Sequence, residues 1–165
     1  MGRRYVLSGE NLTTGTGSVL AAIQSAAAGN AGSILEVRRV EVTQNHNNTS
    51  TQVRLAISSR NTSGTLTVTS ATPRPTVIGG PASGISGGTS PLSAATCGVN
   101  SSADTGGTYT DLWPCNPNNL GGWIWIPTPE ERILVAPSTL LTVRFLAAPG
   151  DTAGWTVVMF FEELF

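Results

Sequence analysis

Side chains able to do acid, base, metal or nucleophilic chemistry are few in this chain: His46, Cys97, Cys115, Asp104, Asp111, Asp151 and seven glutamates, with no lysine. His46 sits in a run of asparagines, with no adjacent carboxylate to orient its ring, and reads as a solvated turn residue. Glu130-Glu131 and Glu162-Glu163 are the only adjacent acidic pairs. Paired carboxylates can serve glycoside hydrolysis. Here both pairs border apolar runs, where charges usually mark the solvent boundary or meet arginines, including arginines of another subunit. Trp113, Trp123, Trp125 and Trp155 would make a sugar-stacking platform if their rings were exposed together, and core otherwise. Cys97 and Cys115 have two readings. They stay as free thiols, the preferred one for a chain without a leader segment, or they close a disulfide worth about 3 kcal/mol in the loop-entropy picture. This inventory gives no expected catalytic constellation, metal site or cofactor.

The elements that would carry any site are legible from the last third of the chain. Trp123-Ile-Trp-Ile126, Arg132-Ile-Leu-Val135, Leu140-Leu-Thr-Val-Arg-Phe-Leu146 and Trp155-Thr-Val-Val-Met-Phe-Phe161 are short apolar runs rich in β-branched and aromatic residues. Proline, glycine and aspartate break them, so they predict consecutive antiparallel strands. Upstream, Val19 to Gln24 reads as a strand despite its alanines, because Gly17 and Gly29 leave little room for a helix. Ser33 to Gln44 is a long strand in which Leu35 and Val37 share one face while Val40 and Val42 fall on the other. A β-bulge at Arg38-Arg39 would return all four to one face. Val53, Leu55 and Ile57 predict a half-buried strand, Leu66 and Val68 another, and Thr108 to Trp113 a short one.

Residues 1–17 read as an N-terminal arm or edge strand, with Tyr5 to Leu7 its only apolar run. Residues 72–107 hold Pro73, Pro75, Pro81 and Pro91 and several glycines, and read as a long loop with brief edge pairing at Thr76 to Ile78. In the last run Trp155, Val157, Met159 and Phe161 face one way while Val158 and Phe160 face the other, so both faces of that strand need cover. The reading is all-β: one domain over 1–165, an antiparallel two-sheet sandwich of jelly-roll type with nine or ten strands and a long Pro/Gly-rich middle loop.

Only 12% of residues are charged and the formal net charge is −1, so the surface is neutral and polar and repels copies of itself weakly. The nine basic residues are all arginines, adjacent only at Arg3-Arg4 and Arg38-Arg39. That gives no basic stripe for nucleic acid. No apolar stretch is long enough for a membrane span, and the first residues are too short for a signal peptide, so the chain is expected to be made and kept in solution.

The strand order Val19 to Gln24, Ser33 to Gln44 and Val53 to Ile57, a Pro/Gly-rich middle, then Ile133-Leu-Val-Ala-Pro-Ser-Thr-Leu-Leu-Thr-Val-Arg144 and Phe160-Phe-Glu-Glu163 resembles small jelly-roll capsid decoration, or cement, proteins of tailed bacteriophages. The resemblance implies a virion structural protein, made in the host cytoplasm and seated on the capsid surface. It also implies a homotrimer on local threefold axes, bound to the major capsid protein and lending no catalytic residues. On that reading Arg3, Arg4, Tyr5, Arg38, Arg39, Val158 and Phe160 are the expected capsid or subunit contacts, and the N-terminal arm and the 72–107 loop reach onto neighbours. The alternative is a carbohydrate- or receptor-binding module of a phage tail or fibre, using the tryptophans.

Overall fold

The computed structural model describes residues 2–13, 19–25, 34–45, 49–61, 63–80, 86–87 and 96–164. In chain order the strands are β1 (Arg3–Leu12), β2 (Val19–Gln24), β3 (Ile34–Gln44), β4 (Leu55–Arg60), β5 (Thr65–Ser70), β6 (Arg74–Pro75) and β7 (Ser86–Gly87). They continue as β8 (Thr96–Thr105), β9 (Tyr109–Cys115), β10 (Trp123–Trp125), β11 (Ile133–Val135), β12 (Leu140–Phe145) and β13 (Trp155–Leu164). One 3-10 turn, Pro129–Glu131, precedes β11. A front sheet runs β10–β3–β13–β1–β6, with β11 also on β3. A back sheet runs β5–β8–β2–β12–β4–β9, with β7 on β8. Every pairing is antiparallel except the two-residue β7–β8 ladder. The chain is thus an all-β two-sheet sandwich. No helix among the described residues is long and apolar enough to cross a membrane.

Alternation explains the core. Leu7, Leu35, Val37, Val40, Val42, Val157, Met159 and Phe161 of the front sheet face Ala21, Ile23, Leu55, Ile57, Leu141, Val143 and Phe145 of the back sheet in one buried cluster. The β3 bulge is present: Phe160 pairs with Arg39 and Phe161 with Val37, so Arg38 is the extra residue and the four apolar side chains all turn inward. Val19 to Gln24 is a strand, and all six of its residues are buried.

Several expectations are corrected. Of the two readings of the N-terminal segment, arm or edge strand, neither holds as stated for residues 3–12, because β1 lies between β13 and the two-residue β6 with Tyr5 and Leu7 in the core. The segment 72–107 is not one long loop, because its far end is the ten-residue strand β8. Residues 92–107 contain no proline. Judging the whole segment by its average proline content hid a strand that pairs with both β2 and β5. Gly98 is required there, since a Cβ would lie 2.7 Å from the Thr69 carbonyl oxygen, inside contact distance. Edge pairing occurs at Arg74–Pro75 rather than 76–78, continued by the Thr76 N–H donating to the Arg4 carbonyl at 3.1 Å. The strand expected over Val53 to Ile57 starts at Leu55 and is buried on both faces, with Ala56, Ser58 and Arg60 covered as well.

On that second face Ser58 meets Asp111 of β9 and Arg144 of β12, and Arg60 meets Asp104 of β8, which pairs with β5. The β5–β8 register slips twice, leaving Asn100 and Ser102 as extra residues, and Asn100 takes a left-handed φ of 53°. Bulges sharpen twist and bend strands. Leu66 and Val68 pack with Val19, Ala22 and Leu140 in a second apolar cluster.

Candidate interaction face

The outward side of the front sheet brings together most of the residues expected to make contacts. Register places them in rows across neighbouring strands. One row runs Leu134, Glu36, Glu162, Arg4. The next runs Arg39, Phe160, Val6, Arg74. A third runs Ile124, Glu41, Val158, Ser8. Ile124 is 55% exposed, Leu134 59% and the neighbouring Ile126 66%, while Val6, Val158 and Phe160 are half-buried. The charges between them are knitted together. Glu36 meets Arg132 at 2.7 Å and Arg38 at 3.2 Å, Glu162 meets Arg38 and, at 3.3 Å, Arg4, and Arg39 pairs with Glu41. The Arg39 guanidinium also lies over the Phe160 ring, 5.5 Å from its centre, which adds a cation–π attraction.

Two shallow depressions adjoin on this face. One of about 380 Å³ is lined by Arg4, Arg38, Arg39, Ile126 and Phe160, among others. The other, of about 410 Å³, is lined by Arg3, Arg4, Pro75, Thr76, Val77 and Glu162, among others. Beside them the turn over 77–80, closed by Gly80 N–H on the Val77 carbonyl and by a positive φ at Gly79, holds Ile78 fully exposed.

Arg4, Arg38, Arg39, Val158 and Phe160 therefore share one face. Tyr5 does not: it is 1% exposed and points inward, ring on Phe161 at 5.8 Å, so it offers no outer contact. Arg3 is exposed at the start of β1, lining the second depression. Burial and then the charge of Glu163 raise the Tyr5 hydroxyl, and a hydrogen bond from Arg3 and its charge oppose the rise. Ile124, Ile126 and Leu134 were missed. The signal was available, because Ile124 lies between two tryptophans and Leu134 between Ile133 and Val135, so one side chain of each triplet must point out.

The remaining candidates separate. Cys97 and Cys115 are free thiols, and no disulfide joins them. They stand on β8 and β9 with β2, β12 and β4 between, roughly 19 Å apart at ordinary strand spacing, whereas a disulfide needs Cα atoms within about 7 Å. Cys97 is fully buried and donates to the Ala71 carbonyl at 2.9 Å. Burial, and then the charge of Glu163, push its thiol up to about 12, and burial pushes Cys115 up to about 11. An unfolded thiol ionises near 9 while folded Cys97 keeps its proton, so stability falls as pH rises between these values, by about 1.4 kcal/mol per pH unit. Cys97 is accordingly expected to resist a thiol reagent at pH 8 in the folded protein and to react at once in denaturant. Rapid reaction in the native state would contradict this placement.

The tryptophans form no platform. Trp155 and Trp125 are buried, Trp123 packs against the core, and Trp113 is the exposed one. Glu131 accepts from Thr128 N–H at 3.3 Å and Thr128 Oγ1 at 3.2 Å, capping the 3-10 turn. His46 lies outside the described residues. Among the described residues no group of three or more His, Cys, Asp or Glu is placed to hold a metal.

On the outward side of the back sheet lies a polar cluster that the sequence did not suggest. Arg60 donates to Asp104 through Nε at 3.1 Å and through Nη2, and to the Asn61 carbonyl at 2.9 Å. The Tyr109 hydroxyl also donates to Asp104, and burial followed by that bond raises its pKa. Arg144 lies over the Tyr109 ring at 4.2 Å and meets Asp111 at 2.7 Å. Burial alone would raise the Asp111 carboxyl, but the bonds from Ser58 and Arg144 and the guanidinium charge outweigh it and hold it below its usual value. This cluster ties the β5–β8 hairpin to β4 and β12. Comparison of the chain with protein-family models, with curated proteins and with solved structures gives no match.

Proposed function

We propose that this sandwich is of jelly-roll type and serves as a virion structural protein without catalytic activity, decorating a bacteriophage capsid. In this reading it is a homotrimer that binds the major capsid protein through the outward side of the front sheet. The observation that carries the reading is the gathering of Ile124, Ile126, Leu134, Val158 and Phe160 on that one side, threaded by arginine–glutamate pairs. Size supports it. Ten residues along β1 and β13 and four strand columns span roughly 34 by 19 Å, about 650 Å². Each partner in an ordinary specific interface contributes about 800 Å². Ion pairs interspersed among apolar side chains suit a face that must stay in solution before assembly and bury afterwards. Several such contacts around a shell would act together, so weak individual interfaces suffice.

Deleting β1 would remove Tyr5 and Leu7 from the core, so it cannot test attachment. The suitable test is co-sedimentation with undecorated phage heads of a chain carrying Ile124→Asp and Leu134→Asp, two exposed positions. Occupancy should fall at least tenfold with an unchanged β-sheet circular dichroism spectrum. A matched change on the back sheet, Leu112→Asp, should leave it unaltered. Equal occupancy of all three proteins, or none by the wild type, would end the proposal.

A further inference from the structure

The row Arg39, Phe160, Val6, Arg74 crosses the front sheet with a half-buried aromatic ring and a valine between two guanidinium groups. The depression beside that ring is lined by Phe160, Ile126, Arg4, Arg38 and Arg39, among others. On this part of the face Arg4, Arg38, Arg39, Arg74 and Arg132 outnumber Glu36, Glu41 and Glu162. The carboxylates present are shared, because Glu36 and Glu162 each serve two arginines. Each guanidinium has donors beyond those one shared oxygen can take. The chain as a whole carries a net charge of −1, so this surplus is local.

Resting on the docking role of this face, we infer that the Phe160 depression receives one large apolar side chain from an extended partner segment whose neighbouring residues are acidic. The charges of this face discriminate among occupants. A second copy docked about a twofold axis through the middle of this row would set Arg39 against Arg74 of the copy, and like charges so placed are repelled. Single-stranded nucleic acid would match the arginines and could stack on Phe160, but its continuous phosphates would pass over Glu41 and Glu162 and the apolar Ile124 and Val158. A peptide with alternating acidic and apolar residues meets both kinds of neighbour. Its carboxylates take bidentate guanidinium contacts and its apolar side chain covers Phe160 and Ile126.

The probe is a blocked seven-residue peptide with a central leucine flanked by aspartates, titrated into the isotopically labelled full chain and followed by amide NMR shifts. Saturable shifts confined to the residues around Val6, Arg39, Arg74 and Phe160 are expected. Affinity should drop about tenfold or more in Arg74→Glu, an exposed change that leaves the core alone, and again in Phe160→Ser. A peptide with lysines in place of the aspartates should give no shifts at these positions. The inference is overturned if the acidic peptide gives no saturable shifts there, if the lysine peptide binds equally well, or if an oligothymidylate shifts the same amides at lower concentration. Occupancy on heads is measured separately on the same variants. Wild-type attachment that survives Arg74→Glu and Phe160→Ser overturns this inference and leaves the docking role standing, whereas a wild type that never attaches removes the docking role itself.

Discussion

Arg60→Ala is expected to cost the fold about 3 kcal/mol, the low end of the range for removing one partner of a buried ion pair, because Arg60 is buried while Asp104 is part-exposed. Arg60 is 1% exposed, and its guanidinium holds Asp104 on the β5–β8 hairpin, the Asn61 carbonyl, and the face of Tyr109 at 5.9 Å. It also lies so close to Gly107 that a Cβ there would overlap it. Alanine would leave Asp104 with the Tyr109 hydroxyl alone and open a cavity under the hairpin. Urea unfolding read by fluorescence measures the loss. Arg60→Lys keeps the charge but not the planar fork and should recover only part of it. The double variant Arg60→Ala with Asp104→Ala should cost less than the two single losses added, because the second change removes a charge the first has stranded. A cost under about 1 kcal/mol for Arg60→Ala would show that the hairpin is held by its apolar contacts instead. The nearby Asp111 adds an acid-side effect. Its folded pKa is depressed, so the stability it contributes is present at neutral pH and is lost as pH falls through the carboxylate range.

Trp155→Ala is expected to destabilise by a similar amount, about 3–5 kcal/mol. The ring is 1% exposed, meets Phe145 of the back sheet edge-on at 4.9 Å, and donates its indole N–H to the Asp151 carbonyl at 3.0 Å. It pairs in register with Leu12 and Gln44. It therefore joins the two layers where β13 begins. Trp155→Phe keeps most of the packing and loses the hydrogen bond, and should cost about 1–2 kcal/mol. Trp113→Ala, at the open edge of the sandwich, should cost less than about 1 kcal/mol. Thermal unfolding of the three variants side by side tests the ranking. Equal losses at Trp113 and Trp155 would contradict the assignment of one to the edge and the other to the seam.

How much of this was readable depended on whether the signal was local. The β3 bulge was, because a change of phase between Val37 and Val40 has one economical explanation, and the bulge at Arg38 is that explanation. The two-faced character of β13 was local too, and it led to Val158 and Phe160. Tyr5 was misassigned although the rule that corrects it is simple. Tyr5 and Leu7 alternate with Arg4 and Val6, so exposure of Arg4 implies burial of Tyr5. Strand β8 was lost to composition, since three threonines or valines among Gly, Asn and Ser read weakly beside the prolines before them. Arg60 could not have been found from its surroundings. At the end of an alternating strand an arginine normally meets water. This one is buried because β8, bent by its bulges at Asn100 and Ser102, brings Asp104, 44 residues on in sequence, over it.

On the proposed function, the outward side of the front sheet is the surface this protein binds with. Electron cryomicroscopy of heads incubated with the purified protein tests it most directly, because position, symmetry and orientation appear in one reconstruction. Density for the sandwich is expected with Phe160, Ile124 and Leu134 turned into the capsid surface and the paired β5 and β8 facing solvent. A reconstruction in which the protein is bound through the back sheet, with the Phe160 face open to water, would contradict it.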